Sequence, residues 1–92
     1  MSGKSVKVKI TYCAECGYEP HALDLTKALM YEFGTQLTAI EIIPWESGTF
    51  DVSVNGELIH SMKREGGFPE HATVKSAVRS RLESPPPSVS PD

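Results

Sequence analysis

Two cysteines separated by two residues are the part of this sequence best suited to chemistry. They form the motif Cys13-Ala14-Glu15-Cys16, and the 92-residue chain contains no other cysteine. Sulfur atoms at this spacing can close a small disulfide ring and open it again: one thiolate attacks a partner disulfide and the other resolves the mixed disulfide. The motif therefore predicts thiol–disulfide chemistry at Cys13 and Cys16, with no metal and no cofactor.

Two other interpretations of the cysteines stay open. They could be a pair of small buried apolar residues, or they could be half of a zinc site completed by His21, His60 or His71. A closed structural zinc site needs four ligands, and the chain has a single CxxC motif, so both alternatives are less favoured than the redox interpretation.

A strand and a helix flank the motif. Apolar and polar residues alternate from Val6 to Tyr12, which predicts a half-buried strand that ends at the first cysteine. Apolar residues then recur at helical spacing from about Pro20 to Phe33, and Gly34 provides a natural stop. A position near a helix amino terminus favours thiolate over thiol, because unpaired N–H groups and the helix dipole stabilise negative charge.

Carboxylates near the motif act in the opposite direction. Glu15 lies between the cysteines and Glu19 follows them, and both disfavour a thiolate. Lys63 or Arg64 would offset these charges only if the last loop folds over the site. We therefore expect a reducing pair rather than a strongly oxidising one.

The remaining elements are three strands and a second helix. A strand is predicted over about 37–43 and is broken by Pro44; another covers about 49–54, and a fourth covers about 57–62. The last helix is predicted from Pro69 to Leu82. The hairpin turn at Asn55-Gly56 pairs residues whose numbers sum to 111, which places Asp51 opposite His60 as an ordinary cross-strand pair.

These elements predict a two-layer α+β sandwich with the order β-α-β-β-β-α, a four-stranded mixed sheet and both helices on one face. The face under the helices is predicted to carry Val6, Val8, Ile10, Ile40, Ile42, Phe50, Val52, Val54 and Ile59. The open polar face is predicted to carry Lys7, Lys9, Thr11, Glu41, Thr49, Asp51, Ser53 and His60. Residues 1–83 are predicted to form one domain, and the Pro/Ser-rich tail 84–92 is predicted to be disordered.

The topology brings three loops to the cysteine edge of the sheet, namely 13–18, 44–48 and 63–69. Candidate partner-binding residues in these loops are Tyr18, Trp45, Lys63, Arg64 and Phe68. Each has a plainer interpretation: Trp45 as a loop anchor, the two basic residues as solvated charges, and Phe68 as a lid on the core.

Composition excludes several classes of protein. The net charge of −3 argues against a nucleic-acid partner. No apolar run approaches the roughly 20 residues of a membrane span, and the chain starts without a signal-peptide pattern. We expect a cytoplasmic protein that is a monomer or a weak dimer.

Three segments of the chain form a recognisable set: VKITYCAECGYEPHALDL, LTAIEIIP and GTFDVSVNGELIHSMKREGGFPE. They resemble the selenoprotein W family, also called Rdx or SelT/SelW/SelH proteins. The resemblance implies a thioredoxin-like fold and a thiol redox role in cell redox homeostasis, with glutathione or protein thiols as partners. The alternative is a non-catalytic adaptor in which the dithiol is a regulatory switch.

The resemblance also bears on the roles of the cysteines. Selenocysteine in the family occupies the position of Cys16, which implies that Cys16 attacks, whereas analogy with thioredoxin makes a more exposed Cys13 the attacker. Two departures lie beside the motif: His21 stands where the family often has arginine, and Trp45-Glu46 stands where it is often glycine-rich.

Overall fold

The computed structural model describes residues 5–83, which form a four-stranded sheet with helices on one face. The strands are β1 (Lys7–Cys13), β2 (Ala39–Trp45), β3 (Phe50–Val54) and β4 (Glu57–Ser61). The helices are α1 (Glu19–Phe33), α2 (Met62–Glu65) and α3 (His71–Glu83), with a 3-10 turn at Gly34–Gln36. The tail predicted at 84–92 lies outside the described residues.

The sheet has the order β2-β1-β3-β4, with β1 parallel to β2 and the other pairs antiparallel. This confirms the predicted mixed sheet and element order, with α2 as an added helical turn. Alternate residues of β1 and β3 pack against one face each of α1 and α3. The buried apolar core consists of Val6, Val8, Ile10, Ala22, Leu25, Leu29, Phe33, Phe50, Val52, Val54, Val74, Val78 and Leu82.

Strand β2 differs from its prediction. Pro44 lies inside the strand, opposite Tyr12, instead of ending it. An edge strand tolerates proline because one row of its N–H groups has no partner strand. Ile42, predicted to lie in the core, is 38% exposed at this edge.

Strand β4 contains a shift in register that corrects several expectations. Ser53 pairs with Leu58, as the turn predicts, but Val52 pairs with His60, so one extra residue lies between these pairs. The predicted pairing of Asp51 with His60 is therefore wrong: His60 is buried opposite the core residue Val52.

Two other boundaries move, and one residue expected on the open face is buried. Strand β4 ends at Ser61 because α2 follows at once, and α3 begins at His71, two residues after Pro69. Thr49 is buried, and its Oγ1 donates to the carbonyl oxygen of Glu46 at 2.7 Å.

The face without helices is polar, as predicted for its β1 residues. Lys7 and Lys9 are exposed there, and Lys7 forms an ion pair with Glu41 of β2 at 3.6 Å. Within the described range, the helices are too short or too polar to cross a membrane.

Candidate functional site

The two cysteines lie where β1 passes into the turn before α1. Their Sγ atoms are 2.08 Å apart, which is the distance of a disulfide bond, and Cys13 is the last residue of β1. The turn is closed by hydrogen bonds from the N–H of Gly17 to the carbonyl of Ala14 and from the N–H of Tyr18 to the carbonyl of Cys13. Gly17 has a φ of +77°, a backbone conformation that favours glycine.

The two sulfurs differ in their access to solvent. Cys13 is fully buried, whereas Cys16 is exposed. The backbone N–H of Cys16 donates to the Sγ of Cys13 at 3.1 Å. This order is the reverse of the one in the thioredoxin analogy, which makes Cys13 the more exposed cysteine. A reactant from solvent meets Cys16 first.

Helix α1 lies further from the sulfurs than the sequence-based argument assumes. It begins at Glu19, three residues after Cys16. The effect of a helix dipole falls off within the first turn, and that turn already carries the carboxylate of Glu19. The local donor to sulfur is therefore the N–H of Cys16 rather than an N–H of α1.

Trp45 holds the cysteine motif through its backbone and is itself an exposed residue. It pairs with Cys13 across β1 and β2, and its carbonyl oxygen accepts a hydrogen bond from the N–H of Ala14 at 2.9 Å. Its residue surface is nevertheless 58% exposed. An open hollow of about 410 Å³ lies beside it, lined by Ala14, Glu15, Pro44, Trp45 and Glu46.

Phe68 connects the last loop to the turn after the cysteines. Its ring stacks on His21 with 3.6 Å between centroids and meets the edges of the Tyr18 and Phe50 rings at 4.9 and 5.1 Å. Phe68 thus covers the end of the core beside α1, and it is 36% exposed. His21, one of the departures from the family pattern, is part of this aromatic cluster.

The basic residues of the last loop are placed on α2. The guanidinium of Arg64 donates to Glu65 through Nε at 2.9 Å and through Nη2 at 2.5 Å, and Glu65 also contacts Nδ1 of His60 at 2.8 Å. The hydrogen bond from Arg64 is the main reason why the pKa of Glu65 lies below its ordinary value. The guanidinium of Arg64 is therefore paired within α2, and Lys63 is an exposed residue of the same helix.

The contacts that join the loops near the cysteines are formed by aromatic residues and by backbone, and Arg64 pairs with its neighbour Glu65. Residues 13–18 meet the end of β2 through Trp45 and meet the last loop through Tyr18 and Phe68. Sequence reasoning did not include Glu46 among the site residues, although it noted the Trp45-Glu46 pair as a departure.

Most of the cysteines and histidines that were candidate zinc ligands are engaged in other contacts. Cys13 and Cys16 are bonded to each other, His21 stacks on Phe68, and His60 is engaged by Glu65 and by the carbonyl of Gly67. Within residues 5–83, no group of three His, Cys, Asp or Glu side chains is arranged to hold a metal ion.

Comparison with known proteins places this geometry in a family. The model of the Rdx family matches residues 7–80, from the start of β1 to near the end of α3. The chain belongs to the Rdx family. The matched range includes the CxxC motif and the GGFPE segment, so the resemblance to selenoprotein W proteins is confirmed.

Individual relatives of this Rdx protein agree. Selenoprotein W of Danio rerio is 34% identical over 80 residues, covering 86% of this chain and 93% of that protein. Migration and invasion enhancer 1 of Mus musculus is also 34% identical over 80 residues; the match covers 85% of this chain but only 66% of the mouse protein, just under two thirds.

The fold is shared with solved structures. The crystal structure of a selenoprotein W-related protein from Vibrio cholerae superimposes with a TM-score of 0.81 at 29% identity, covering 86% of this chain and 99% of that one. The thioredoxin-like fold class is therefore confirmed. A CxxC pair in a member of the Rdx family indicates a redox role.

Proposed function

We propose that this Rdx protein is a cytoplasmic thiol–disulfide exchange protein that acts through Cys13 and Cys16 on glutathione or protein thiols, in cell redox homeostasis. One observation carries the proposal: an exposed sulfur and a buried sulfur lie at bonding distance on a turn fixed by hydrogen bonds. Exchange needs one sulfur that a reactant can reach and a second within reach of the first.

The burial of the sulfurs assigns their roles in the proposal. In the reduced protein, the Cys16 thiolate attacks one sulfur of a partner disulfide, forms a mixed disulfide and releases the first partner thiolate, which takes up a proton. The Cys13 thiolate then attacks Sγ of Cys16 and releases the second partner thiolate. The dithiol loses two electrons and the partner disulfide gains them.

The backbone supports the second step. The N–H of Cys16 points at Sγ of Cys13, and a hydrogen bond to a charged acceptor is stronger than one to a neutral acceptor. The same contact thus stabilises Cys13 as the resolving thiolate. Because Cys13 ends β1 and the turn is closed by its own hydrogen bonds, the pair is held close before the partner arrives.

Single-cysteine variants test these roles. We expect the reduced Cys13→Ser protein, which keeps the exposed sulfur, to form a stable mixed disulfide with glutathione disulfide. The reduced Cys16→Ser protein should form at least about tenfold less in the same time, since burial limits access to the thiolate. Mass spectrometry of acid-quenched samples measures both adducts, and the Cys13→Ser/Cys16→Ser double variant is the control for non-specific addition.

Three results would contradict this proposal. Equal adduct formation by both single variants would remove the assigned roles. No adduct with glutathione disulfide or with any protein disulfide in a lysate would remove exchange itself. If both variants also keep the interactions of the native protein in cells, the protein is an adaptor and not an exchange protein.

A further inference from the structure

The hollow beside the disulfide has two walls that belong to different parts of the chain. Ala14 and Glu15, from the turn closed by the disulfide, form one wall. Pro44 and Trp45, from the end of β2, form the other together with Glu46, the residue after β2. The hydrogen bond between the Ala14 N–H and the Trp45 carbonyl holds the walls together. A group bound in the hollow therefore lies next to the turn that carries the exposed Cys16.

The lining of the hollow has the chemistry of a cation site. Trp45, Glu15 and Glu46 all line the hollow, and all three residues are exposed. A tryptophan face attracts a lysine or arginine cation through its quadrupole, and carboxylates add charge-assisted hydrogen bonds.

The pairing of the acidic residues points to the same kind of ligand. Each of four other glutamates holds a basic side chain of this chain: Glu32, Glu41, Glu57 and Glu65. Among the ion pairs formed within residues 5–83, none involves Glu15 or Glu46. The hollow therefore keeps both negative charges. Glu19, Glu70 and Glu83 are also outside these ion pairs, and Glu19, at the start of α1, is close to the cysteines in sequence.

We propose that this hollow binds a lysine or arginine side chain of a disulfide-containing protein, so that cationic protein disulfides are preferred over glutathione disulfide as oxidants of the Cys13–Cys16 dithiol. The inference rests on the exchange function proposed above and names its substrate class. Electrons and protons balance as in that reaction, because the hollow changes only which disulfide is brought to Cys16.

Charge selects this occupant over glutathione. Each half of glutathione disulfide carries two carboxylates and one ammonium group, so the molecule is a net anion at neutral pH. It approaches Glu15 and Glu46 against repulsion. A disulfide flanked by lysine or arginine is attracted by the same two groups, and such effects act mainly on the rate of association.

The test uses symmetrical peptide disulfides of the same backbone that carry different charges. The reduced full-length protein is mixed with disulfides of acetyl-Lys-Cys-amide, of its Nε-acetylated form and of acetyl-Glu-Cys-amide, and with glutathione disulfide. Oxidation is followed by quenching and mass spectrometry at one pH. At low ionic strength we expect the lysine peptide to react about tenfold faster than the neutral one, and the glutamate peptide and glutathione disulfide, both net anions, to react slowest; added salt should compress this range.

Variants locate the preference in the hollow. Glu15→Gln/Glu46→Gln should reduce the lysine-to-neutral rate ratio to about twofold or less, and Trp45→Leu should reduce it partly. The matched control is Glu83→Gln, which removes a charge from the last residue of α3 and should leave the ratio unchanged. Comparing ratios cancels any effect of the substitutions on the thiolate itself, since all peptides meet the same thiolate.

The outcomes separate the two proposals. If no disulfide oxidises the protein, the exchange function fails. If all peptides react at equal rates, or if the preference for lysine survives in Glu15→Gln/Glu46→Gln, the exchange function stands and the cation site is overturned.

Discussion

Asp51 buries one carboxylate oxygen, Oδ1, for which residues 5–83 supply no hydrogen-bond partner. It lies on β3 between Thr11 of β1 and Ser61 of β4. Leaving a buried polar atom unpaired costs about 1–3 kcal/mol. We therefore expect Asp51→Thr, which introduces a β-branched residue suited to a strand, to raise the free energy of unfolding by about 1 kcal/mol.

Urea unfolding of the oxidised protein measures this change. Ser53→Thr is the matched control, because Ser53 is a half-buried residue of the same strand face, and it should change stability by less than about 0.5 kcal/mol. A less stable Asp51→Thr protein would mean that the carboxylate makes a favourable contribution.

The identity of the reacting residues is predictable from the sequence, but their exposure is not. A CxxC motif between an alternating segment and a helical one is a local pattern. Cys13 shares a strand face with Lys7 and Lys9, and alternation alone therefore places it on the polar side. Cys13 is completely buried where the turn after β1 folds back. Two hydrogen bonds hold this turn: one from the N–H of Cys16 to Sγ of Cys13, and one from the N–H of Ala14 to the carbonyl oxygen of Trp45. Such tertiary contacts leave no periodic signal.

At the scale of elements, the junction of β4 and α2 predicts a dependence of stability on pH. The pKa of Glu65 is lowered from 4.5, chiefly by the hydrogen bond from Arg64, with a smaller contribution from His60. A carboxylate with a lowered pKa in the folded state stabilises the fold above its unfolded pKa, and this stabilisation is lost as pH falls through the folded value.

Comparison of the native protein with Glu65→Gln measures the effect. We expect the native protein to be the more stable at pH values above the ordinary pKa of 4.5, and the difference to shrink as the pH falls below it. Arg64→Gln should remove most of this pH dependence, because Arg64 is its main cause. A difference that grows on acidification would show that the sign is wrong.

The end of β2 and the register of β4 differ from their predictions for local physical reasons. A proline predicts the end of a strand, but Pro44 lies in the edge strand β2, and the edge position is known only from the order of the sheet. The irregularity between Ser53 and Val52 depends on how β4 packs, since the turn Asn55-Gly56 sets the register only for the first pairs. The register shift places His60 on the buried side, where its Nε2 lies 2.8 Å from the carbonyl oxygen of Gly67 and its Nδ1 lies 2.8 Å from the carboxylate of Glu65.

For the protein as a whole, the two-layer architecture and the order of the strands and helices are predictable because the core is built from regular sequence patterns. Alternation in β1 and β3 and helical spacing in α1 each select one face, and these faces meet in a single core. The surface around the two cysteines is less predictable, because three segments of the chain contribute to it. It combines the end of β2, the turn after β1 and the loop before α3, and these segments are far apart in sequence.

The disulfide also contributes to the stability of the whole fold. Closing a ring of four residues removes conformational freedom mainly from the unfolded chain, which corresponds to about 2 kcal/mol in the chain-entropy model. We expect the oxidised protein to unfold at a higher urea concentration than the reduced protein, with nearly the same dependence on urea, because so short a ring hardly changes the surface exposed on unfolding.

The Cys13→Ser/Cys16→Ser variant is the control, and its unfolding midpoint should be the same with and without reductant. Folding and oxidation are linked by a thermodynamic cycle. The gain in free energy of unfolding on oxidation therefore equals the extra free energy by which the folded chain, compared with the unfolded chain, favours the disulfide over the dithiol. If the reduced protein is at least as stable as the oxidised one, the folded state stabilises the dithiol by at least as much as closing the ring stabilises the oxidised fold. The contact from the N–H of Cys16 to Cys13 would then be the interaction to test next.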